Sequence, residues 1–538
     1  MIIKTLITIS TTLFLLSCGN SGSDTNMIDE SEQIPLSLSD SDSDGLADRY
    51  ESALGLVVGE RDADYFTLDP LYQEQWHLNN SIAEGEDINV APIWRETLGE
   101  KNITVAIVDT GVDVNHSDIS LDLNNSFRYS DNSNDPSPTF SQLYQNSSSN
   151  AHGTACAGIV AAKGWNSTGM RGVAPNINLV GLNVFSSPTD ANFASALLRE
   201  GVDVSSNSWG GGGAYTLYDD RTSLEAIESG VETLRDGKGV IYVFASGNDS
   251  ANANFQSILA SGYVVAVSSV NEYGEFEEYS DFGANILVCA PGGSQKVETQ
   301  RAIVTTDISG LKYGMDVYKE HWDVDANEEG DYTKTMNGTS ASCPMVSGVV
   351  GLMLSVNSEL SYMQVQKILA LSARKNDLQD ASWQENGAGL LYSEKYGFGV
   401  VDATDAVEMA RDFGPLGDEQ NTMGRFTIDS LPISQDIKTY RVNIEDEFYI
   451  QNVQLNIATD HDNSGKLKIV LISPSGAEST LAYGNTVLYD NYSSWKFLSV
   501  AFLNESARGQ WSVRVEDMGT GNSVSHLALS LDIKGHKK

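Results

Sequence analysis

Basic residues are scarce in this chain of 538 amino acids: 33 Lys and Arg stand against 73 Asp and Glu, a formal charge of -40. Gripping a phosphate backbone requires clustered Lys and Arg, so nucleic acid is excluded as a partner. Cysteine is scarcer still, at Cys18, Cys156, Cys289 and Cys343. That is too few for a disulfide framework, and buried thiols are expected. No later segment reaches the roughly 18 consecutive apolar residues that a membrane-crossing helix needs. Global disorder is excluded too, because 41% of residues are hydrophobic and 20% charged, enough to build a core. The length implies two or three domains. The acid excess suits a solvated surface or one that binds divalent cations.

One short apolar run is present at the start. Lys4 precedes Leu6 to Leu16, and the run closes on Leu15-Leu16-Ser17-Cys18. It has signal-peptide length and is too short to span a bilayer. Its end resembles a bacterial lipoprotein box, with Cys18 as the lipidated residue. The expected location is the bacterial cell envelope, lipid-anchored at Cys18, or secreted. A cleaved signal carrying a chance Cys is the alternative, and membrane contact is expected only through that lipid.

Residues 19–68 read as a polar tether holding one motif, Asp40-Ser41-Asp42-Ser43-Asp44-Gly45-Leu46-Ala47-Asp48-Arg49-Tyr50-Glu51. Oxygen ligands at loop positions 1, 3, 5, 9 and 12, with Gly at 6, have EF-hand spacing. The motif also resembles a thrombospondin type 3 calcium repeat. The ligands would be Asp40, Asp42, Asp44, Asp48 and Glu51 around Ca2+; a plain acidic linker is the competing reading.

From Asp69 to Gly414 apolar runs such as Ile103 to Val108, Val240 to Phe244 and Tyr263 to Val267 alternate with helical stretches. Continuous apolar runs are what buried parallel strands look like. Gly414 to Gly424 reads as a linker. Beyond it Tyr440 to Val442, Gln451 to Ile457, Leu467 to Ile472 and Trp511 to Val515 have strand patterns separated by turns such as Ser473-Pro474-Ser475-Gly476. The pattern implies an all-β sandwich over 424–534.

Three motifs carry chemistry. Asp109, in Val108-Asp109-Thr110-Gly111, ends an apolar strand, where α/β sheets place their sites. His152 opens His152-Gly153-Thr154-Ala155-Cys156-Ala157-Gly158, whose small residues let a helix pack tightly on the sheet. Ser340, in Asn337-Gly338-Thr339-Ser340-Ala341-Ser342-Cys343-Pro344-Met345, is expected at the mouth of an apolar helix, where free N–H groups favour a developing anion. A serine hydroxyl needs a base to become nucleophilic. His152 is the candidate base, Asp109 its orienting carboxylate, and Asn248, in Ala245-Ser246-Gly247-Asn248, the candidate side-chain donor to an oxyanion. Taken singly, Asp109 also fits a strand-ending turn and His152 a structural histidine. Cys156 and Cys343 flank these motifs without a thiolate-activating pattern.

The order Asp, His, Ser together with Asn248 resembles the subtilase family, most closely its kexin/furin branch. Asp69-Pro70-Leu71-Tyr72-Gln73-Glu74-Gln75-Trp76-His77-Leu78 resembles that branch's mature start, and Tyr396-Gly397-Phe398-Gly399-Val400-Val401-Asp402-Ala403 its catalytic-domain end. Gly465-Lys466-Leu467, Leu471-Ile472-Ser473-Pro474-Ser475-Gly476 and Gly509-Gln510-Trp511 resemble its P-domain. The resemblance implies a three-layer α/β subtilisin-like catalytic domain over 69–414 with a mainly parallel sheet, then a jelly-roll P-domain that supports its folding. It implies a serine endopeptidase acting on protein or peptide substrates, with Ser208, Trp209 and Gly210 binding substrate. It implies calcium at Asp69, Asp118 and Asn166, and a second site at Asp131 and Asp135; a turn or cap role is the alternative for each Asp.

Two departures from the branch stand out. Where it carries acids that read basic substrate residues, this chain has Thr110, Ser149, Phe193 and Gly211-Gly212-Gly213; Asp249 and Asp281 are the nearby carboxylates. Strict dibasic selectivity is therefore not expected. The 50 residues between Cys18 and Asp69 also lack an amphipathic α+β pattern. Folding is expected to need calcium or an external helper protein. A calcium-stabilised surface adhesin on a degenerate protease fold is the alternative function; it predicts loss of a triad or oxyanion residue.

Overall fold

Apolar runs bounded by polar turns build the central sheet. The structure is a computed structural model that describes residues 39–538 except 43, 45, 55, 60, 62–68, 84–85, 212, 297–299, 311, 316–329, 430–436, 520–523 and 525. The segment ending at Cys18 lies outside the described residues, as does Gly45. The sheet comprises β1 (Thr104–Asp109), β2 (Phe127–Arg128), β3 (Asn178–Asn183), β4 (Val204–Asn207), β5 (Ile241–Ala245), β6 (Val264–Val270) and β7 (Ile286–Pro291). Its order is β2-β3-β1-β4-β5-β6-β7, and every pairing is parallel. Strands β1, β4, β5, β6 and β7 are buried throughout, as strands covered on both faces must be.

Before the sheet comes α1 (Asp48–Leu54). Helices α2 (Phe140–Gln145) and α3 (Ser147–Ala161) follow β2, and α4 (Asp190–Leu197) and α5 (Arg221–Thr233) flank β4. Helix α6 (Thr339–Val356) runs beneath the sheet and is buried from Thr339 to Leu354. By length and composition α6 is apolar enough to cross a membrane, but 89% of it is buried inside this fold, as a core helix requires.

From Glu419 onward the chain folds into two four-stranded antiparallel sheets. One is ordered Glu419–Arg425, Leu527–His536, Tyr449–Thr459, Trp495–Ser499; the other Ile437–Ile444, Gly509–Asp517, Leu467–Ile472, Glu478–Tyr483. Inward and outward residues alternate along Gly509–Asp517, and Trp511 packs edge-on to Phe502 at 5.2 Å in the core between the sheets. The strand Glu419–Arg425 occupies much of the stretch read above as a linker; it is hydrogen-bonded along its whole length to Leu527–His536. The sandwich is fastened to the α/β domain by polar side chains. Asn254 both donates to the Leu498 carbonyl (3.0 Å) and accepts from its N–H (2.7 Å), and Asn386 donates to the carbonyls of Ala501 and Leu503.

Residues around α1 are not a free tether. Leu46, Ala47 and Tyr50 are buried in the core of the α/β domain. Arg49 donates to the Glu96 carbonyl at 3.0 Å and pairs with Glu100 at 3.1 Å. The apolar residues between the acids, which the ligand spacing ignores, drive this docking.

Candidate active site

The carboxyl end of β1 delivers Asp109, 1% exposed, to the sheet's central crevice. Helix α3 starts a turn earlier than the His152 motif suggests, because Asn146 caps it by accepting from the Ser149 N–H. His152 therefore lies in its second turn. Its Nδ1 sits 2.9 and 3.0 Å from the two Asp109 oxygens, so the carboxylate accepts from one ring nitrogen and leaves Nε2 for other work. Gly153 makes this reach possible: a Cβ there would stand 3.0 Å from Asp109 Cβ and closer still to the Gly111 carbonyl oxygen. Thr110 tightens the same junction, accepting from the Gly153 N–H at 3.1 Å and donating to the Asn150 carbonyl at 3.3 Å. Burial disfavours a charged imidazole at His152, but the adjoining Asp109 carboxylate and the Cys156 sulfur together outweigh it and hold the pKa well above the ordinary 6.5.

Ser340 is the second residue of α6. The chain turns into the helix at Gly338, whose φ of 100° a side chain would oppose. The Ser340 N–H lies in the first turn, where helical N–H groups have no partner within the helix. Its hydroxyl donates to the Ser208 carbonyl at 3.4 Å, a weak bond. Pro344, four residues on, has no N–H to give the Ser340 carbonyl. Two other donors take that carbonyl: the Ser208 hydroxyl at 3.0 Å and the Cys156 thiol at 3.5 Å. Cys156 Sγ is also 3.8 Å from His152 Nδ1, so a single thiol borders both the imidazole and the serine.

Asn248 follows the end of β5 and is exposed to the crevice. Its Oδ1 accepts from the Thr339 N–H (2.9 Å) and hydroxyl (3.0 Å). Those bonds fix which end of the amide is which. They leave Nδ2 as a donor at the mouth of α6, with no acceptor on it among the described residues. On the other wall Trp209 is half-buried, its ring 4.7 Å from Phe193 and 5.2 Å from Phe244. Gln256 carries no motif that marks it in the sequence. It spans the ends of β4 and β5, its Oε1 accepting from the Gly211 N–H (3.3 Å) and its Nε2 donating to the Ser246 carbonyl (3.4 Å). Both Gly210 and Gly247 face this side chain closely enough that a Cβ would touch it. Asp281, 3% exposed, lies against Gly247 and accepts from the Asp249 and Ala251 N–H groups; burial nevertheless pushes its pKa up to about 7. Asp249 itself is exposed.

The acidic residues fall into three places. Asp118 is fully buried; the Asn166 amide (2.7 Å), the Met170 N–H (3.1 Å) and the Tyr332 hydroxyl (3.2 Å) donate to it. Burial still pushes its pKa up to about 7, the mark of under-compensated negative charge. Asp69 is brought alongside: it accepts from the Trp165 and Asn166 N–H groups and pairs with buried Arg171 at 2.6 Å. Arg171 in turn is stacked between the rings of Tyr72 and Trp165. Asp131 and Asp135, by contrast, both turn to Arg128, at 2.9 and 3.7 Å, on an exposed loop. In the first loop, carboxylate oxygens of Asp40, Asp42 and Asp44 lie within 4.8 Å of one another, and Glu51 is buried nearby in sequence. Asp48 is drawn off to the hydroxyls of Ser39 and Ser41, at 2.7 and 2.8 Å.

A carboxylate-held imidazole, a helix-mouth serine whose carbonyl shares the Cys156 thiol with that imidazole, and an outward amide, all on a parallel α/β sheet, are the parts that a serine hydrolase uses. Comparison with known proteins narrows this. The model of the subtilase family matches residues 100–399, more than half of the chain, and that of the proprotein convertase P-domain matches residues 450–531. The chain belongs to the subtilase family. It is 32% identical over 482 residues to proprotein convertase subtilisin/kexin type 6 of Rattus norvegicus, covering 85% of this chain and 48% of that protein. It is 29% identical over 508 residues to kexin of Saccharomyces cerevisiae, covering 89% and 58%. The chain thus spans about half the length of the curated relatives it matches. Its fold is also that of a serine protease of Aeromonas sobria solved in complex with a chaperone: the TM-score is 0.77 at 23% identity, over 88% of this chain and 96% of that one.

Proposed function

We propose that this chain is a calcium-dependent serine endopeptidase that works outside the cytoplasm through Asp109, His152 and Ser340. The observation that carries the reading is the His152 ring, held through Nδ1 by both oxygens of a buried carboxylate, with the Cys156 thiol bordering both that ring and the carbonyl of Ser340 at a helix mouth. On substrate binding the hydroxyl leaves its weak bond to the Ser208 carbonyl and gives its proton to His152 Nε2 as it attacks the scissile carbonyl carbon. Asp109 stabilises the imidazolium so formed. The oxyanion receives hydrogen bonds from Asn248 Nδ2 and the Ser340 N–H. His152 then returns the proton to the leaving amine, and water repeats the sequence on the acyl-enzyme.

Substrate lies between the Ser208-Trp209-Gly210 edge and the Ala245-Ser246-Gly247 edge. The neutral Gln256 amide that spans these two edges and the aromatic wall of Trp209 and Phe193 support an enzyme without strict dibasic selectivity. Calcium is assigned to the residues whose donors suit a hard cation. Asp118, Asp69 and Asn166 would form one site, and Asp118's under-compensated buried charge supports it. Asp40, Asp42, Asp44 and Glu51 would form another, where bound calcium compensates the clustered carboxylates and holds the loop. The exposed Asp131 and Asp135 are the weaker pair, since Arg128 already balances them. Lipid anchoring at Cys18 or secretion, and folding with calcium or a separate helper, complete the reading; the chaperone bound to the fold neighbour supports such a helper.

The test is covalent labelling by a fluorophosphonate, followed by hydrolysis of a peptide panel. Folded protein should label at Ser340, and Ser340→Ala should abolish labelling and turnover. Folded protein that does not label refutes the protease reading. Arg-Arg or Lys-Arg peptides cleaved far faster than aromatic or aliphatic ones refute the specificity.

A further inference from the structure

The segment that continues the substrate wall is held in place by the other domain. After Ser208-Trp209-Gly210 come Gly211, Gly212 and Gly213, with Gly213 at a φ of 131°, so the wall runs on into backbone with little conformational preference of its own. Its near end is fixed within the α/β domain by the Gly211 N–H to Gln256 bond. Its far end is fixed by the Tyr218 N–H, which donates to the Phe255 carbonyl at 2.8 Å. Between them, over 213–217, both hydrogen bonds found among the described residues go to the sandwich. The Tyr489 N–H donates to the Tyr215 carbonyl at 2.8 Å, and the Leu217 N–H donates to the Asp490 carboxylate at 2.8 Å. The Leu217 side chain packs on the sandwich core, and the rings of Tyr215 and Tyr489 lie 5.9 Å apart.

The sandwich loop that makes these contacts is itself well rooted. Leu488 is 7% exposed in the sandwich core, and the Thr486 N–H donates to the Gly465 carbonyl. Tyr483, Thr486 and Val487 also form the far wall of a crevice of about 680 Å3 whose near wall includes Tyr215 and Asp249, the residue after Asn248. The sandwich therefore reaches the edge of the cleft.

We propose that Tyr489 and Asp490 are positioning residues for substrate: they hold 213–217, beyond the slot beside Ser340, in the arrangement that an extended polypeptide needs. The inference rests on the protease reading above. It makes the sandwich a determinant of substrate affinity in addition to a support for folding.

The experiment is steady-state kinetics on full-length enzyme with two substrates. One is a peptide extending at least four residues before the scissile bond; the other is a short ester that occupies only the slot beside Ser340. Asp490→Ala should raise KM for the extended peptide by roughly tenfold, the loss of one charge-assisted bond, with kcat within about twofold. Ester kinetics and the rate of fluorophosphonate labelling should be little changed. Asp490→Asn, which keeps an oxygen acceptor, should restore most of the affinity. Asn386→Ala, which cuts two sandwich bonds elsewhere, should lower Tm without that KM change. An unchanged KM for Asp490→Ala overturns the proposal, as does an equal effect on both substrates or a KM effect in Asn386→Ala that tracks its loss of Tm. Wild-type enzyme that fails to label sinks the protease reading and this proposal together; normal labelling with an unmoved KM sinks this proposal alone.

Discussion

Adding one methyl group at Gly153 tests how closely the catalytic geometry depends on helix packing. In Gly153→Ala the new Cβ would stand 3.0 Å from Asp109 Cβ and nearer still to the Gly111 carbonyl oxygen, which is backbone and cannot swing away. Carbon atoms in good contact lie about 3.5–4.0 Å apart. Helix α3 must therefore withdraw by up to about 1 Å, and His152, the residue before, withdraws with it. A displacement of that size costs on the order of 10²-fold in rate. Stability should suffer less, because Ala is favoured over Gly inside a helix by about 0.5–1 kcal/mol, offsetting part of the strain. The assay is kcat/KM on a peptide substrate, normalised to sites titrated with a fluorophosphonate so that a misfolded fraction does not count. A second readout is the acid limb of the pH profile. Since Asp109 raises the His152 pKa, a retreating imidazole should titrate at lower pH. A folded Gly153→Ala enzyme that keeps more than about a third of wild-type kcat/KM, with an unmoved acid limb, would refute the reasoning.

Asn248→Ala should lower kcat on the order of 10²–10³-fold with a smaller effect on KM, the general cost of losing one oxyanion-hole amide, as in subtilisin; a loss confined to KM would remove Asn248 from the oxyanion site. The acid limb of wild-type kcat/KM should have its midpoint above 6.5, because His152 must lose its proton to act as base and Asp109 holds that proton. The same pairing contributes stability below 6.5 that is lost as pH rises through the folded pKa, so a Tm that rises across that range would contradict it. Calcium removal should expose a second group with the same direction: Asp118, pushed up to about 7, favours the fold fully below its ordinary 3.8 and loses that advantage as pH rises through about 7. In EDTA, Tm should fall between pH 5 and pH 8, and added calcium should reverse the fall; equal Tm with and without calcium at pH 8 would remove the metal from this site.

Much of this was legible in the sequence wherever one residue type meets one local demand. Ile103 to Val108 reads as a buried strand because an unbroken apolar run has nowhere else to go, and β1 occupies Thr104–Asp109. Gly338 and Ser340 mark a helix mouth, and the helix begins at Thr339. What was not legible depends on distant partners. Gln256 acts through two glycines at the ends of different strands, a relation with no period and no spacing. The turn of Asp131 and Asp135 toward Arg128 is decided by loop geometry, not by the count of carboxylates. The docking of Leu46, Ala47 and Tyr50 on the α/β core follows from three apolar residues that sit between the acids, where the ligand spacing gives them no role. The strand Glu419–Arg425 is exposed along most of its length and lacks the apolar alternation that would announce it; its partner, Leu527–His536, makes it a strand.

Pro344 shows how a local loss is turned into tertiary order. As the sixth residue of α6 it lies past the turn where a missing N–H costs nothing, so it removes the helical donor to the Ser340 carbonyl. A buried carbonyl must find another partner or lose stability. The two donors that arrive come from the substrate wall, through Ser208, and from the histidine helix, through Cys156. The backbone of the proposed nucleophile is thus tied to the strand end that would receive substrate and to the helix that carries its base. A residue that continued the helix would satisfy the carbonyl internally and leave those elements with one fewer constraint on their spacing. The proline therefore links the nucleophile's position to its two neighbours, which is the relation a proton transfer between them requires.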